Sequence, residues 1–404
     1  MLVKAEAHYD QNTSDSRIGD NCLFKFEIAS AEKLDTQLKI FITGIAGFIG
    51  FNLAKRIVEH TDHTIIGVDK LGHASNSAAG DWLAAQDGCR FHPVDIGDVD
   101  AIQSIVKQQQ PDAVLHLAAE SHVDRSIDQP EDFITSNING TFNLLRIFHD
   151  YWDQLNQSGS DKADRFRFIN VSTDEVFGSL SAEDPIATET SPYQPNSPYA
   201  ASKAAADHLV RAWYQTYGLP TISTHCSNNY GPWQFPEKLI PVVIMKAQRL
   251  QPIPIYGDGK NIRNWIHVDD HTRALLQVLE NGVSGDTYNI AGENEIANLQ
   301  LVDQVCDTLQ ELLPLKLDAD SPRSPDGSIK HYRELITFVA DRPGHDFRYS
   351  LNVDKITRDL NWSPNIDLRS GLKQTIAWYL ENVDWCASTL SNHAYQLDRQ
   401  GLKP

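Results

Sequence analysis

The sequence predicts an α/β fold: a doubly wound parallel sheet followed by a smaller C-terminal substrate-binding domain. Three observations predict it. Short apolar runs alternate with helical patterns from Lys39 to Cys226, the mark of parallel strands joined by right-handed crossovers. A glycine loop, Gly44-Ile45-Ala46-Gly47-Phe48-Ile49-Gly50, joins the first run to the first helix. After Tyr230 the regularity falls and prolines cluster at Pro232, Pro236, Pro241, Pro252 and Pro254, which marks a loop-rich second region.

The elements follow in order. Ile40, Phe41 and Ile42 form a short apolar run typical of a buried parallel strand. Phe48, Ile49, Leu53, Ile57 and Val58 then share one helical face. Further strands are expected at 64–68, 90–94, 113–117, 166–172 and 221–226, with helices at 101–109, 133–152 and 198–217. A helix at 268–280 and a strand at 286–290 read as a return to the main sheet. A helix at 299–313 and a polar loop at 321–328 follow. The expected division is therefore 38–230 with 262–292 for the first domain. The second spans 231–400, mainly 231–261 and 293–400. Residues 1–37 read as an extension of unassigned role, because Lys4, Glu6, His8 and Asp10 interrupt any apolar core of a targeting signal.

Composition narrows the class. The net charge of −19 repels phosphate backbones, so nucleic acid is not an expected partner. The five cysteines are widely spaced with no CxxC pair, and the fifteen histidines include no HExxH. That argues against a disulfide framework and a metal site, and fits a reducing, cytoplasmic compartment. No apolar run is long enough to span a membrane.

The glycine loop sits between an expected strand and an expected helix, the setting of a dinucleotide site in a Rossmann-type fold. Its spacing is GxxGxxG, which by itself also suits a tight strand–helix turn. Asp69 ends the second strand about 20 residues after Gly50, where an acid binds the adenosine ribose. A carboxylate there favours NAD over NADP. Asp95 and Ile96, after the third strand, are candidates for the adenine. His116-Leu117-Ala118-Ala119 ends the fourth strand with small residues that let a cofactor lie close.

Tyr199 and Lys203 stand four apart, on one face of a helix that Ser197 can cap and Pro198 can start. A lysine cation beside the phenol is expected to lower its pKa, so that Tyr199 can take a proton from a sugar hydroxyl while hydride leaves the same carbon. Thr173, after the fifth strand, can hydrogen-bond that hydroxyl. Asp174-Glu175 follow at once. Two adjacent carboxyls in a closed pocket repel, so one can hold its proton and act as acid while the other acts as base.

These strings resemble the extended short-chain dehydrogenase/reductase family, and within it the dTDP-glucose 4,6-dehydratases. The likeness runs from about Lys39 to Leu380. It is carried by Asp69-Lys70-Leu71, by His116 through Ile127, and by Ser172-Thr173-Asp174-Glu175-Val176. Further along it is carried by Ser197-Pro198-Tyr199 through Lys203, Asn228-Asn229-Tyr230-Gly231-Pro232, Phe235 through Pro241, and Asp341-Arg342-Pro343-Gly344-His345-Asp346. The resemblance implies a closed redox cycle on a nucleotide sugar: oxidation at carbon 4, loss of water across carbons 5 and 6, and reduction at carbon 6. In it Asp174 is the acid and Glu175 the base. It implies an NAD site formed by Gly44, Gly47, Phe48, Ile49, Gly50, Asp69, Lys70, Leu71, Asp95, Ile96, Leu117, Ala118, Ala119, Ser136, Tyr199, Lys203 and Asn229. It implies a dTDP-sugar site formed by Ser121, Thr173, Asn228, Glu237, Lys238, Leu239, Pro254, Tyr256, Arg263, Asn289, Arg342 and His345. The guanidinium groups of Arg263 and Arg342 suit a diphosphate. It also implies a homodimer paired through 133–152 and 198–217.

Three positions depart from the family pattern. Ile45 replaces a common glycine, Phe177 a tyrosine and Asn264 an aspartate. Ile45 is tolerable where its φ is negative, and Phe177 lacks a hydroxyl near the site. Epimerases and decarboxylases of this superfamily share the NAD site but need no acid–base pair for water loss. A UDP-glucose 4,6-dehydratase would keep the pair, and a catalytically silent NAD-binding sensor would not need it.

Overall fold

The computed structural model describes residues 37–76, 78–293, 295–315, 329–392 and 397. The extension (but for residue 37) and the expected loop at 321–328 lie outside the described residues. The strands are β1 Lys39–Thr43, β2 Thr64–Val68, β3 Cys89–His92, β4 Ala113–His116, β5 Arg167–Thr173, β6 Thr221–Cys226, β7 Asn228–Tyr230, β8 Ile253–Tyr256, β9 Ile262–His267, β10 Thr287–Ile290, β11 Glu295–Ala297 and β12 Ile336–Val339.

The main sheet has seven strands in the order β10-β6-β5-β4-β1-β2-β3. Each neighbouring pair is parallel. Chain order reverses between β1 and β4, and the crevice beyond the strand ends at such a switch point is where α/β sheets bind ligands. Thr43 stands opposite both Val68 and His116, so three strands end level and open the crevice along one line.

Both faces of the sheet are covered. Ile40 and Ile42 point into a core with Leu53, Ile57 and Leu275. Phe41 points the other way, into a core with Phe148, Phe168 and Leu144. That alternation is the period of a strand buried on both sides. Removing the Phe41 ring would cost about 3–5 kcal/mol.

The long helix expected at 133–152 is instead Pro130–Phe133, a π-helical stretch Ile134–Gly140, and Thr141–Gln157. Side chains account for the widened turn. Asn137 donates to Glu120 O (3.0 Å) and Ser202 Oγ (2.9 Å), and accepts from Glu120 N–H (2.8 Å). Thr141 Oγ1 donates to Asn137 O (2.6 Å). Single π turns of this kind mark functional sites, and Ser136 here faces the crevice.

Beyond Tyr230 the chain is more helical than its prolines suggest. Leu239–Gln248 is a helix with Pro241 in its first turn, where a missing N–H costs nothing. It packs with Asn298–Leu312 and Leu368–Glu381 around Val243, Ile244, Val305 and Ile376. β10 pairs with β6, so the expected return to the main sheet occurs. β9 does not join it; it lies between β11 and β7 in a separate sheet.

Candidate active site

The first half of the site lies across the ends of β1, β2 and β4. Gly44 has φ +68°, and a Cβ there would stand 2.6 Å from Ala118 N. A Cβ on Gly50 would stand 2.2 Å from Gly44 O. Packing alone therefore demands glycine at these two positions. Gly47 differs: it starts the Phe48–His60 helix, and no side chain caps that helix. Its first N–H groups face the cavity with the positive dipole end, a ready site for a pyrophosphate. Asp69 accepts from Ala46 N–H (3.0 Å), Leu71 N–H (2.8 Å) and Ser75 Oγ (2.9 Å). A carboxylate has about four acceptor positions, so Asp69 retains one for a ribose hydroxyl. Lys70 bonds Glu120 (2.9 Å) and Ser136 Oγ (3.2 Å) at the rim. An uncapped helix and a strand-end carboxylate fit a dinucleotide such as NAD.

The floor of the crevice holds the reacting groups. Ser197 accepts from Ala200 N–H (3.1 Å), and Pro198 opens the Pro198–Tyr217 helix. That helix carries Tyr199 and Lys203 into the cavity, where Thr173, Asp174 and Glu175 meet them from the end of β5. Thr173 Oγ1 donates to Asp174 Oδ1 (3.3 Å) and lies close enough to Tyr199 to favour its phenolate. Asp174 Oδ2 and Glu175 Oε2 are buried without a protein partner. Burial, then the neighbouring Glu175, pushes the Asp174 carboxyl up to about 8, so it holds a proton at neutral pH. Burial also raises Glu175, but Arg342, Arg263 and Lys238 oppose it and favour its anion.

Tyr199 departs from expectation. Burial, then Glu175, raises its phenol well above the ordinary value. Lys203 does not reverse this; its Nζ donates to Val171 O at 2.8 Å. Burial in turn pulls Lys203 below the ordinary lysine value, with Asp207 opposing.

A second cavity continues from the first. The two share Ser121, His122, Glu175, Asn228, Asn229, Gln234, Glu237 and Lys238. Leu239, Pro254, Tyr256, Arg263, Arg342 and His345 line the second alone. Its cations already have protein partners, although Arg342 Nε is buried without one. Arg342 donates to Asp124 Oδ1 (2.8 Å), and Tyr256 OH to Asp124 Oδ2 (2.9 Å). Arg263 donates to Asp346 O (2.8 Å). Burial, then Arg342, pulls His345 down to about 4. Glu237 sits between the halves, 2.7 Å from His73 Nε2. Burial acts to raise it, but His122, the His73 bond and Lys238 hold it at about 2, a carboxylate.

The sequence agrees with this geometry. The family model for GDP-mannose 4,6 dehydratase matches residues 41–375. A dTDP-glucose 4,6-dehydratase of Neisseria meningitidis serogroup B is 50% identical over 90% of this chain and 99% of its own. The dTDP-glucose 4,6-dehydratase 1 of Escherichia coli K12 is 48% identical over 89% of this chain and 97% of its own. The chain belongs to the dTDP-glucose 4,6-dehydratase family. Among solved structures, the dTDP-glucose 4,6-dehydratase DesIV of Streptomyces venezuelae, crystallised with NAD, superposes with a TM-score of 0.76 at 38% identity. The match covers 87% of this chain and 100% of that one. UDP-glucose 4-epimerase of Thermotoga maritima follows at 25% identity and TM-score 0.70, covering 86% of this chain and 100% of that one.

Within this dTDP-glucose 4,6-dehydratase fold, two of the expected site residues lie off both cavities. Leu71 is 44% exposed and turns outward with φ +53°. Asn289 is fully buried, bonded to His225 Nδ1 (3.2 Å) and Ala187 O (3.2 Å). Asn298 lines the second cavity with a buried Oδ1 that has no protein partner. Sequence reasoning missed Asn298, His73, His122, Gln234 and Cys226, all of which line the site. His122 stands inside a string already singled out, and its place beside Ser121 was the available signal. The three departures from the family pattern lie as follows. Ile45 is absent from the positive-φ positions and packs over Gly67. Phe177 packs edge-on against His225 (4.9 Å) and Tyr193 (5.4 Å), outside both cavities. Asn264 donates to Gly292 O (3.0 Å).

Proposed function

We propose that the chain converts dTDP-glucose to dTDP-4-keto-6-deoxyglucose and water. The observation that carries this reading is the buried Asp174–Glu175 pair at the junction of the two cavities. Its outer oxygens lack protein partners, and one member is held protonated. The described residues of 38–230 hold NAD, and the nucleotide sugar is held by described residues of 231–261 and 293–400 together with Ser121, Asn228 and Arg263. The bound NAD supplies a hydride acceptor and donor, and its oxidised ring adds the positive charge that a buried Tyr199 phenolate needs.

Tyr199 takes the proton of the carbon-4 hydroxyl, positioned by Thr173, as hydride leaves that carbon. The new ketone acidifies carbon 5, and Glu175 takes that proton. Asp174 protonates the departing carbon-6 hydroxyl, which leaves as water. When hydride reaches carbon 6, Glu175 returns its proton to carbon 5. The sugar is then complete, with Tyr199 one proton richer and Asp174 one poorer. Thr173, which donates to Asp174 and neighbours Tyr199, is placed to pass that proton across and reset the site. Arg342, Arg263 and Lys238 face the diphosphate.

Two further parts of the reading concern setting. Ile134, Phe142 and Tyr217 are exposed on the 134–157 and 198–217 segments (47%, 36% and 51%). They support a homodimer through these helices, and light scattering that finds only monomer at micromolar concentration would overturn it. Cys89, Cys226, Cys306 and Cys386 are free and buried, which supports a cytoplasmic setting. The activity itself is tested by supplying dTDP-glucose and UDP-glucose separately and following keto-sugar and reduced cofactor. Keto-sugar formed faster from dTDP-glucose is expected; reduced cofactor without dehydration would overturn the reading.

A further inference from the structure

Lys203 is only 4% exposed. Taking an ammonium out of water favours the neutral amine unless an opposite charge lies near. Asp207 stands one turn further along the same helix face, and it too is 4% exposed. Asn170 Nδ2 donates to its Oδ1 (2.8 Å), and Ser172 Oγ donates to its Oδ2 (2.7 Å). Tyr193 OH and His225 Nε2 each lie 3.3 Å from the same Oδ2. Asn170 and Ser172 flank Val171, whose carbonyl receives Lys203. One stretch of β5 therefore fixes both the cation and the carboxylate.

Other titratable groups face this region from every side. Tyr199 lies on the same helix, His116 on β4, Asp174 and Glu175 after β5, and Cys226 and His225 on β6. Tyr193 precedes the helix, with His208 stacked against it (5.2 Å). Burial holds Asp174 protonated, Cys226 as a thiol and His116 neutral. Glu175 is opposed by Arg342, Arg263 and Lys238. Asp207, an acceptor for Asn170, Ser172 and Tyr193, is bonded as an anion is.

We propose that Asp207 is a positioning residue of the reaction: its fixed carboxylate is the counter-charge that keeps buried Lys203 an ammonium beside Tyr199. The proposal rests on the Tyr199–Lys203 reading above. Asp207→Asn isolates the charge, because Asn170 Oδ1 is buried without a partner and can turn to accept from the new amide.

The test is the pH profile of the first hydride transfer, read as reduced cofactor formed in a single turnover of the holoenzyme. In Asp207→Asn the alkaline fall in rate should move to lower pH by about one unit or more, with the rate largely recovered on the acid side. Adding Asn170→Asp, which returns a carboxylate to the same contact, should move the fall back. A loss equal at all pH values, an unmoved profile, or a shift of the acid limb alone would overturn the proposal. If Asp207→Asn is insoluble, Asp207→Ser is read the same way. Lys203→Met separates the two readings. If that variant transfers hydride normally, the parent reading fails; if only Asp207→Asn is silent, this one does.

Discussion

The two halves of the crevice are built differently. The dinucleotide half comes from strand ends in one sheet and leaves its binding groups open: the uncapped helix after Gly47 and a spare acceptor on Asp69. The nucleotide-sugar half is drawn from segments scattered between Ser121 and His345, and its charges are already engaged. Arg342 holds Asp124, and Arg263 holds a carbonyl. The first half is a fixed cradle. The second keeps Arg342 Nε and Asn298 Oδ1 open but must also trade internal partners for the substrate's, so its affinity is partly a difference between two sets of bonds.

Substitutions sharpen that contrast. The largest effect belongs at the junction. Glu175→Gln should slow water loss by about 10²–10⁴-fold while leaving the first hydride transfer much less affected. Reduced cofactor should then accumulate in stopped-flow traces; a variant dehydrating at the normal rate would remove Glu175 from its role. In the sugar half, Arg342→Ala should raise KM about 10–100-fold, since a hydrogen bond to a charged group contributes about 1.5–3 kcal/mol. An unchanged KM would mean that Arg342 serves only Asp124.

The pH dependence follows from Asp174. Its folded pKa lies above the unfolded value, so the native state holds the extra proton between the two. Both the acid role and this residue's contribution to stability are present at lower pH and fade as pH rises through about 8. The dehydration step should lose rate across that window in the wild type, and Asp174→Asn should abolish that limb. Smaller effects separate two asparagines. Asn298→Ala should weaken substrate binding with little change in melting temperature. Asn289→Ala should lower the melting temperature and leave KM alone, because its partners are His225 and Ala187. Smallest of all, His73→Ala should hasten NAD loss several-fold by freeing Glu237; identical retention would limit His73 to packing.

The same contrast governs what the sequence made legible. The sheet, its crossovers and the cofactor half follow from short-range patterns: apolar runs, three glycines, an acid at the end of β2 and a tyrosine four residues before a lysine. The sugar half depends on contacts between residues more than a hundred positions apart, such as Arg342 with Asp124. No spacing encodes these, so the likeness to relatives had to supply them; Asn289, which it implied, lies outside both cavities, and Asn298, which it did not, lines the second. The π stretch at 134–140 escaped because its cause is tertiary, the pull of Asn137 toward Glu120 and Ser202. The Leu239–Gln248 helix escaped because Pro241 reads as a breaker until its place in the first turn is known. Tyr199 was misjudged because the sequence shows a neighbouring cation but not the burial that outweighs it.

Four residues divide one reaction in this reading: Tyr199 and Lys203 open it, and Asp174 and Glu175 turn oxidation into dehydration. Single-turnover mixing of the purified holoenzyme with dTDP-glucose tests it most directly, with cofactor absorbance and keto-sugar followed together. A transient rise and fall of reduced cofactor is expected, with one dTDP-4-keto-6-deoxyglucose formed per site and no net reduction. Reduced cofactor that persists alongside a 4-keto sugar still bearing its carbon-6 hydroxyl would contradict it.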